Sequence, residues 1–272
     1  MTSTRLARSR KQKPETTSRS ARKRAEGDGL FTSWLSPSSR VNGATPAVSP
    51  SALQTSGLLD QFPTPLVESL RYLVGRFQLG QDVELRTRLG VVSALHGEGV
   101  TTISRTLAAV IASDLDMRVC WVDLSWASPR SPEAVEPPGP DGIYEVLTGG
   151  IELASALQWS GDPRLAILRA GRVADTQRQA LARSPRLGTL LDDLEKRFDC
   201  VVFDMPPILT GSAGLGLARR MGSYLLVVRH GVTTTRHVRA TVDELRTVPS
   251  LGVVLNRFKS RIPKWFAHFF AV

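Results

Sequence analysis

The sequence predicts a doubly wound α/β fold: a mostly parallel sheet with helices on both faces. Three observations carry this. Short apolar runs recur at 89–95, 117–124, 165–168, 200–203, 224–228 and 251–255, each of strand length. Segments with helical spacing or loop composition separate them, and sustained strand–helix alternation is the signature of a parallel sheet covered on both sides. Two of the runs close on an acid, Asp123 and Asp204, at the strand end that faces the ligand crevice in such sheets.

The elements follow in chain order. Residues 1–62 are rich in Ser, Thr, Arg, Pro and Gly without sustained periodicity and read as a disordered basic tail, with an apolar cluster at Leu30, Phe31, Trp34 and Leu35. From Thr64 to Phe77 the leucines at 66, 70 and 73 share a helical face with Val74 and Phe77. Pro65 suits the first turn, and Glu68 and Arg71 lie on another face. A strand over 89–95 is followed by a tight loop with Gly97 and Gly99, then a helix with Ile103, Leu107, Val110 and Ile111 on one face. The strand MRVCWVDL (117–124) leads into a Pro- and Ser-rich loop over 125–141. Ile143 to Leu147 starts a helix ended by Gly149 and Gly150; a further helix is expected around Leu153 to Trp159, before the strand 165–168. Ser184 to Arg197 is amphipathic with Leu187, Leu190, Leu191 and Leu194 inward, and the strand from Cys200 runs into Asp204-Met205-Pro206-Pro207. A helix near Thr235 to Leu245 joins the last two strands. The segment 259–272 is aromatic and basic. Trp265, Phe266, Phe269 and Phe270 fall on one face if it is helical, flanked by Lys259, Arg261 and Lys264, and this suits either packing on the domain or an interface with a membrane or partner.

The 272 residues accommodate one α/β domain of about 200 residues plus tails. The net charge of +10 is unevenly placed: residues 1–26 hold nine Lys/Arg against Glu15 and Glu26, a net +7, which leaves +3 for the other 246. A basic tail meets anionic lipid or nucleic acid through the same electrostatics, or stays solvated. Cys120 and Cys200 each sit inside an apolar run, which excludes a disulfide framework and zinc-ligand spacing. No run of 18 apolar residues spans a membrane, and no secretory signal is visible, so a cytoplasmic protein is expected.

Strand, glycine loop and helix make a phosphate cradle. Glycines let loop amides point inward, and the helix N-terminus adds partial positive charge. The hydroxyls of Thr101 and Thr102 stand where such loops place a magnesium ligand and a phosphate donor. The full pattern G-x-x-x-x-G-K-[ST] has Ala94 at its first glycine and Val100 at its lysine.

The loop at 97–102, Asp123, and then Asp204-Met205-Pro206-Pro207, in that order, resemble the bacterial tyrosine kinases within the MinD/ParA-like branch of P-loop ATPases. The resemblance is to the cytoplasmic kinase domain of capsule and exopolysaccharide export. It runs from about Pro63 to Arg257 and includes GIYEVLTGG (142–150), LAILRAGR (165–172), ALARSPRLGTLLDDLEKRFDCVVFDMPP (180–207) and GVVLNR (252–257). It implies a P-loop domain over 63–258 that binds ATP or ADP with magnesium. Gly97, Glu98, Gly99, Val100, Thr101 and Thr102 would form the cradle and Asn256 would meet the base. Asp123 and Asp204 would be the catalytic carboxylates, holding magnesium mostly through water together with Thr101. As partners it implies a membrane polysaccharide co-polymerase or chain-length regulator, a homo-oligomer and an anionic membrane surface at the inner face of the cell membrane; nucleic acid is not expected.

The departures from the family pattern bear on activity. Val100 removes the lysine that bridges β- and γ-phosphates, and Leu95 stands where some relatives keep a second lysine. The first acidic motif reads Asp123-Leu124-Ser125-Trp126-Ala127-Ser128-Pro129, without the second carboxylate and both arginines; Ser212-Ala213 lacks an expected aspartate. Tyr72, Tyr144 and Tyr224 are the only tyrosines, so no C-terminal tyrosine cluster exists in the sequence, and Val74 interrupts an E-x-x-R-x-x-R oligomerisation helix. A degenerate kinase that binds nucleotide weakly and regulates polysaccharide assembly is therefore expected, with an active kinase or a ParA/MinD-type positioning ATPase as the alternatives.

Overall fold

Seven strands form a single sheet in the order β3-β4-β2-β5-β1-β6-β7 in the computed structural model, which describes residues 57–79, 88–126 and 141–258. The strands are β1 (Arg88–Ser93), β2 (Val119–Asp123), β3 (Leu157–Trp159), β4 (Leu165–Leu168), β5 (Cys200–Asp204), β6 (Ser223–Arg229) and β7 (Ser250–Asn256). All pair in parallel except β3, which runs antiparallel to β4 at one edge. The apolar runs at 89–95, 117–124 and 200–203 thus become the buried centre. Parallel strands covered on both faces need continuous apolar sequence.

The helices are α1 (Thr64–Leu79), α2 (Val100–Asp114), α3 (Ile143–Thr148), α4 (Leu153–Ala156), α5 (Arg178–Arg183), α6 (Pro185–Arg197), α7 (Ser212–Ala218) and α8 (Thr235–Glu244), with a 3-10 turn at Asp175–Gln177. Two apolar layers result. On one face α1 and α2 bury Leu70, Val74, Phe77, Ile103, Leu107 and Ile111 over the sheet. On the other, Leu187, Leu190, Leu191 and Leu194 of α6 line up inward as the sequence spacing requires, beside α3, α7 and α8. Gly149 ends α3 in the left-handed conformation at φ 81°, the usual glycine stop.

One element departs from the sequence reading. The helix expected over 153–159 stops after one turn at Ala156, and Leu157–Trp159 pairs with β4 instead. A stretch as short as Leu157-Gln158-Trp159 fits either state, and the edge of β4 decides between them by offering backbone partners. The short helices α5 and α7 were not expected either. Glu68 and Arg71 do lie outside the apolar face: Arg71 bonds Glu68 at 2.9 Å and reaches Asp114 on α2 at 3.0 Å. Cys120 and Cys200 are buried free thiols, and burial pushes Cys200 up to about 12, so neither is a nucleophile at neutral pH. Among the described residues no helix is long and apolar enough to cross a membrane. The tail over 1–56, the loop residues 127–140 and the aromatic segment 259–272 lie outside the described residues.

Candidate functional site

Strand order reverses around β1, which is flanked by β5 and β6 although β2 follows it in sequence. The crevice outside the C-terminal ends of β1, β5 and β6 is therefore the topological switch point, where open α/β sheets bind ligands. The loop from Ala94 to Gly99 leaves β1 into that crevice and feeds α2. Gly97 and Gly99 hold φ of 74° and 100°, a region that side-chain-bearing residues rarely adopt. No side chain caps α2, so its first amides are left for an anion. Thr101 and Thr102 are exposed on this first turn.

Val100 is 8% exposed and belongs to the apolar layer beneath α1 and α2. The position that would carry a phosphate-bridging lysine is thus used for packing.

Glu98 does not project into the crevice. It is 1% exposed, accepts the Leu95 amide at 2.9 Å through one carboxylate oxygen, and takes the Thr233 hydroxyl through the other. Its backbone carbonyl accepts the side-chain amide of Asn256 at 2.8 Å, and the Gly97 carbonyl accepts Arg229 at 3.2 Å. The loop is thereby tied to the ends of β6 and β7. These anchors, Arg229 and Thr233, escaped the sequence reading. The only signal for them was that they follow an apolar strand, as Asp123 and Asp204 end theirs.

The tie yields a prediction for Gly99. A Cβ built there would lie 2.1 Å from the Asn256 side-chain nitrogen, on a backbone at φ 100°. Gly99→Ala is expected to break the Asn256 bond and to cost about 1–2 kcal/mol for the left-handed backbone alone. Thermal unfolding measures this, and an unchanged melting temperature would show that the loop relaxes freely.

Asp123 and Asp204 are register partners on β2 and β5. Asp123 is half-buried; its Oδ1 accepts the Ser125 amide at 3.0 Å and the Ser125 hydroxyl at 2.7 Å. Burial raises its pKa, while Ser125, the Trp126 amide and the charge of Arg169 oppose the rise. Asp204 is 1% exposed, and neither carboxylate oxygen has a hydrogen-bond partner. Burial and then the Asp123 charge push its pKa well above the ordinary carboxylate range, against the weaker pull of Thr101 and Arg105; the Thr101 hydroxyl approaches without completing a hydrogen bond. Arg105 stacks on the Trp121 ring at 5.6 Å from its centroid.

A buried carboxylate with both oxygens unpartnered costs several kcal/mol unless a cation approaches. Two neighbouring carboxylates and a threonine hydroxyl suit a hydrated divalent cation, which keeps several waters and takes its other ligands from phosphate. Among the described residues no third acidic, histidine or cysteine side chain joins the pair. The structure thus gathers the loop 97–102, Asp123, Asp204 and Asn256 at one end of the sheet, with Glu98 and Val100 turned into the protein and Asn256 turned onto the loop.

No protein-family model matches the chain. It is 31% identical over 170 residues to the tyrosine-protein kinase etk of Escherichia coli (strain K12), covering 62% of this chain and 23% of that protein. It is 28% identical over 173 residues to the succinoglycan biosynthesis transport protein ExoP of Rhizobium meliloti, covering 62% and 22%. The chain therefore spans under a quarter of the length of these relatives. The solved kinase domain of the Escherichia coli tyrosine kinase ETK superposes with a TM-score of 0.60 at 27% identity, over 72% of this chain and 79% of that one. Cobyrinic acid a,c-diamide synthase from Mycobacterium smegmatis, solved with bound ADP and magnesium, shares the fold at a TM-score of 0.53 and 22% identity. The homologues of the chain include bacterial tyrosine-protein kinases, and its sheet is shared with the solved kinase domain of one of them.

Proposed function

We propose that this chain is a tyrosine-kinase-like P-loop module of exopolysaccharide assembly that binds Mg-ADP or Mg-ATP weakly and turns it over poorly. The observation that carries this reading is the contrast within one crevice. The Asp123–Asp204 pair and the uncapped start of α2 remain, while Val100 lies in the apolar layer where a lysine would meet phosphate.

Magnesium would neutralise charge spreading over the phosphate oxygens. The chain's own part is positional. The amides at the start of α2 would orient the phosphates, Thr101 and Asp204 would hold the hydrated cation, and Asp123, steadied by Ser125, would face the acceptor. Removing one preorganised cation or donor from such a site costs roughly 10²–10³ in rate, and a charge-assisted hydrogen bond contributes only about 1.5–3 kcal/mol to binding. Binding therefore survives the loss of lysine better than catalysis does. A second reading, slow but real turnover, has one observation in its favour: the Arg229 guanidinium already lies against Gly97.

The nucleotide is expected to serve as a regulatory ligand, with a membrane polysaccharide co-polymerase as the partner and the basic residues 1–26 meeting anionic lipid. Calorimetric titration of the full chain with Mg-ADP tests the core of the proposal. Saturable heat at micromolar to millimolar nucleotide, lost in Asp204→Ala, is the expected result. No heat at millimolar Mg-ADP would leave only a structural role for the crevice.

A further inference from the structure

Among the described residues β7 is an edge strand, and it is dressed on one face only. Leu251 and Val254 pack into the apolar layer under α2. On the opposite face, Val253 and Leu255 pair in register with Leu226 and Val228 of β6, which are buried in the layer that also holds Val238 of α8. One strand further out, Val253 and Leu255 are 56% and 49% exposed, and Phe258 just beyond is 62% exposed. Single exposed apolar residues are ordinary, but neighbouring ones on one strand mark a surface that something covers. The strand is also uncharged and free of proline from Ser250 to Asn256, and its one edge-blunting feature is the register shift at its start, opposite Tyr224 and Leu225.

The winding of the sheet says where a cover would come from. The β6–α8–β7 connection places α8 on the face of Val253 and Leu255. A chain that leaves β7 and keeps the same right-handed sense returns over that face, one strand further out. The exit is already turned: Arg257 holds a left-handed φ of 55°, and the Phe258 ring meets the His230 ring edge-on at 5.2 Å.

We propose that residues 259–272 supply this missing layer, seating the aromatic face of Trp265, Phe266, Phe269 and Phe270 on Val253 and Leu255. The lengths agree. Seven residues of β7 span roughly 23 Å at ~3.3 Å each, and the residues 262–272 would span about 16 Å at 1.5 Å per residue if helical. Lys259, Arg261 and Lys264 leave their charges in water at the rim. The tether decides between occupants. A segment joined directly to the strand experiences an effective concentration on the order of millimolar, which a second copy or a membrane surface must exceed. Because β7 ends in Asn256, which holds the Glu98 carbonyl, the cover bears on the glycine loop as well.

The test uses the full chain without ligand. Emission from Trp265 is isolated as the difference between wild type and Trp265→Phe, and its quenching by acrylamide is followed in wild type, Val253→Asp and Leu255→Asp. A blue-shifted, quench-resistant Trp265 signal at all protein concentrations is expected, shifting red and quenching several-fold more readily in both variants. Both positions are half-exposed, so unchanged far-ultraviolet circular dichroism accompanies the expected shift. A solvent-exposed signal in wild type overturns the proposal, as does a buried signal that ignores both substitutions. A blue shift that appears only on raising protein concentration assigns the strip to a second copy. One that appears only with anionic vesicles assigns the segment to a membrane. Either of these also overturns it.

Discussion

Asp204→Asn raises the melting temperature of the ligand-free protein by roughly 4–8 °C. The carboxylate is 1% exposed with both oxygens unpartnered, beside a second acid on the adjacent strand. An asparagine keeps the shape, removes the charge and can donate to Asp123. Relief of about 2 kcal/mol is in the range for an unsatisfied buried charged group, and each kcal/mol moves the midpoint of a domain this size by about 2–4 °C. The pH dependence has a definite sign. The folded-state pKa of Asp204 lies well above its unfolded value, so the unfolded chain releases its proton first. The stability of the wild type therefore falls as pH rises from about 4, where free carboxylates ionise, towards the raised folded pKa. This component disappears in Asp204→Asn. Thermal melts of both proteins across that range measure it, and a lower melting temperature for the variant would mean that Asp204 has a stabilising partner in the folded chain. A function–stability conflict of this kind is expected where a cation site is built from buried acids.

Val100→Lys is expected to tighten Mg-nucleotide binding about tenfold or more, the equivalent of about 1.4 kcal/mol, while hydrolysis stays near background. The gain comes from one returned phosphate contact. On the proposed reading the site would still lack a second carboxylate, because Ser125 stands where the family resemblance places one and its hydroxyl and amide are engaged with Asp123. The substitution also has a structural cost. Val100 packs in the layer with Ile103 and Leu107, and a lysine stem must leave that layer to bring its ammonium to the crevice. The variant should therefore melt lower without ligand and recover on adding Mg-ATP. Titration calorimetry and phosphate release separate the two effects. Brisk hydrolysis or tyrosine phosphorylation by Val100→Lys alone would show that the remaining machinery is complete and would end the degenerate-site reading. If the wild type already turns over and Arg229→Ala abolishes it, Arg229 is the substitute cation.

The sequence alone determined the layered fold, because every long element announces itself by period. The leucines at 187, 190, 191 and 194 fell inward, and the apolar runs ending in Asp123 and Asp204 became adjacent central strands. The glycine loop was equally legible, since only a special backbone needs Gly97 and Gly99 in that spacing. What the tertiary structure decided was the use of each side chain. Glu98 read as a cradle residue, yet its carboxylate joins Leu95 to Thr233, and Asn256 holds its carbonyl. Residues 95, 233 and 256 meet only when β1, β6 and β7 lie side by side. Likewise β3 exists because the edge of β4 offered it hydrogen bonds, and Val100 turned inward because α1 and α2 formed a layer for it. Periodicity is a property of neighbours in the chain and survives in the sequence. Partner choice among buried polar groups depends on which distant segments arrive, and nothing local in the chain encodes it.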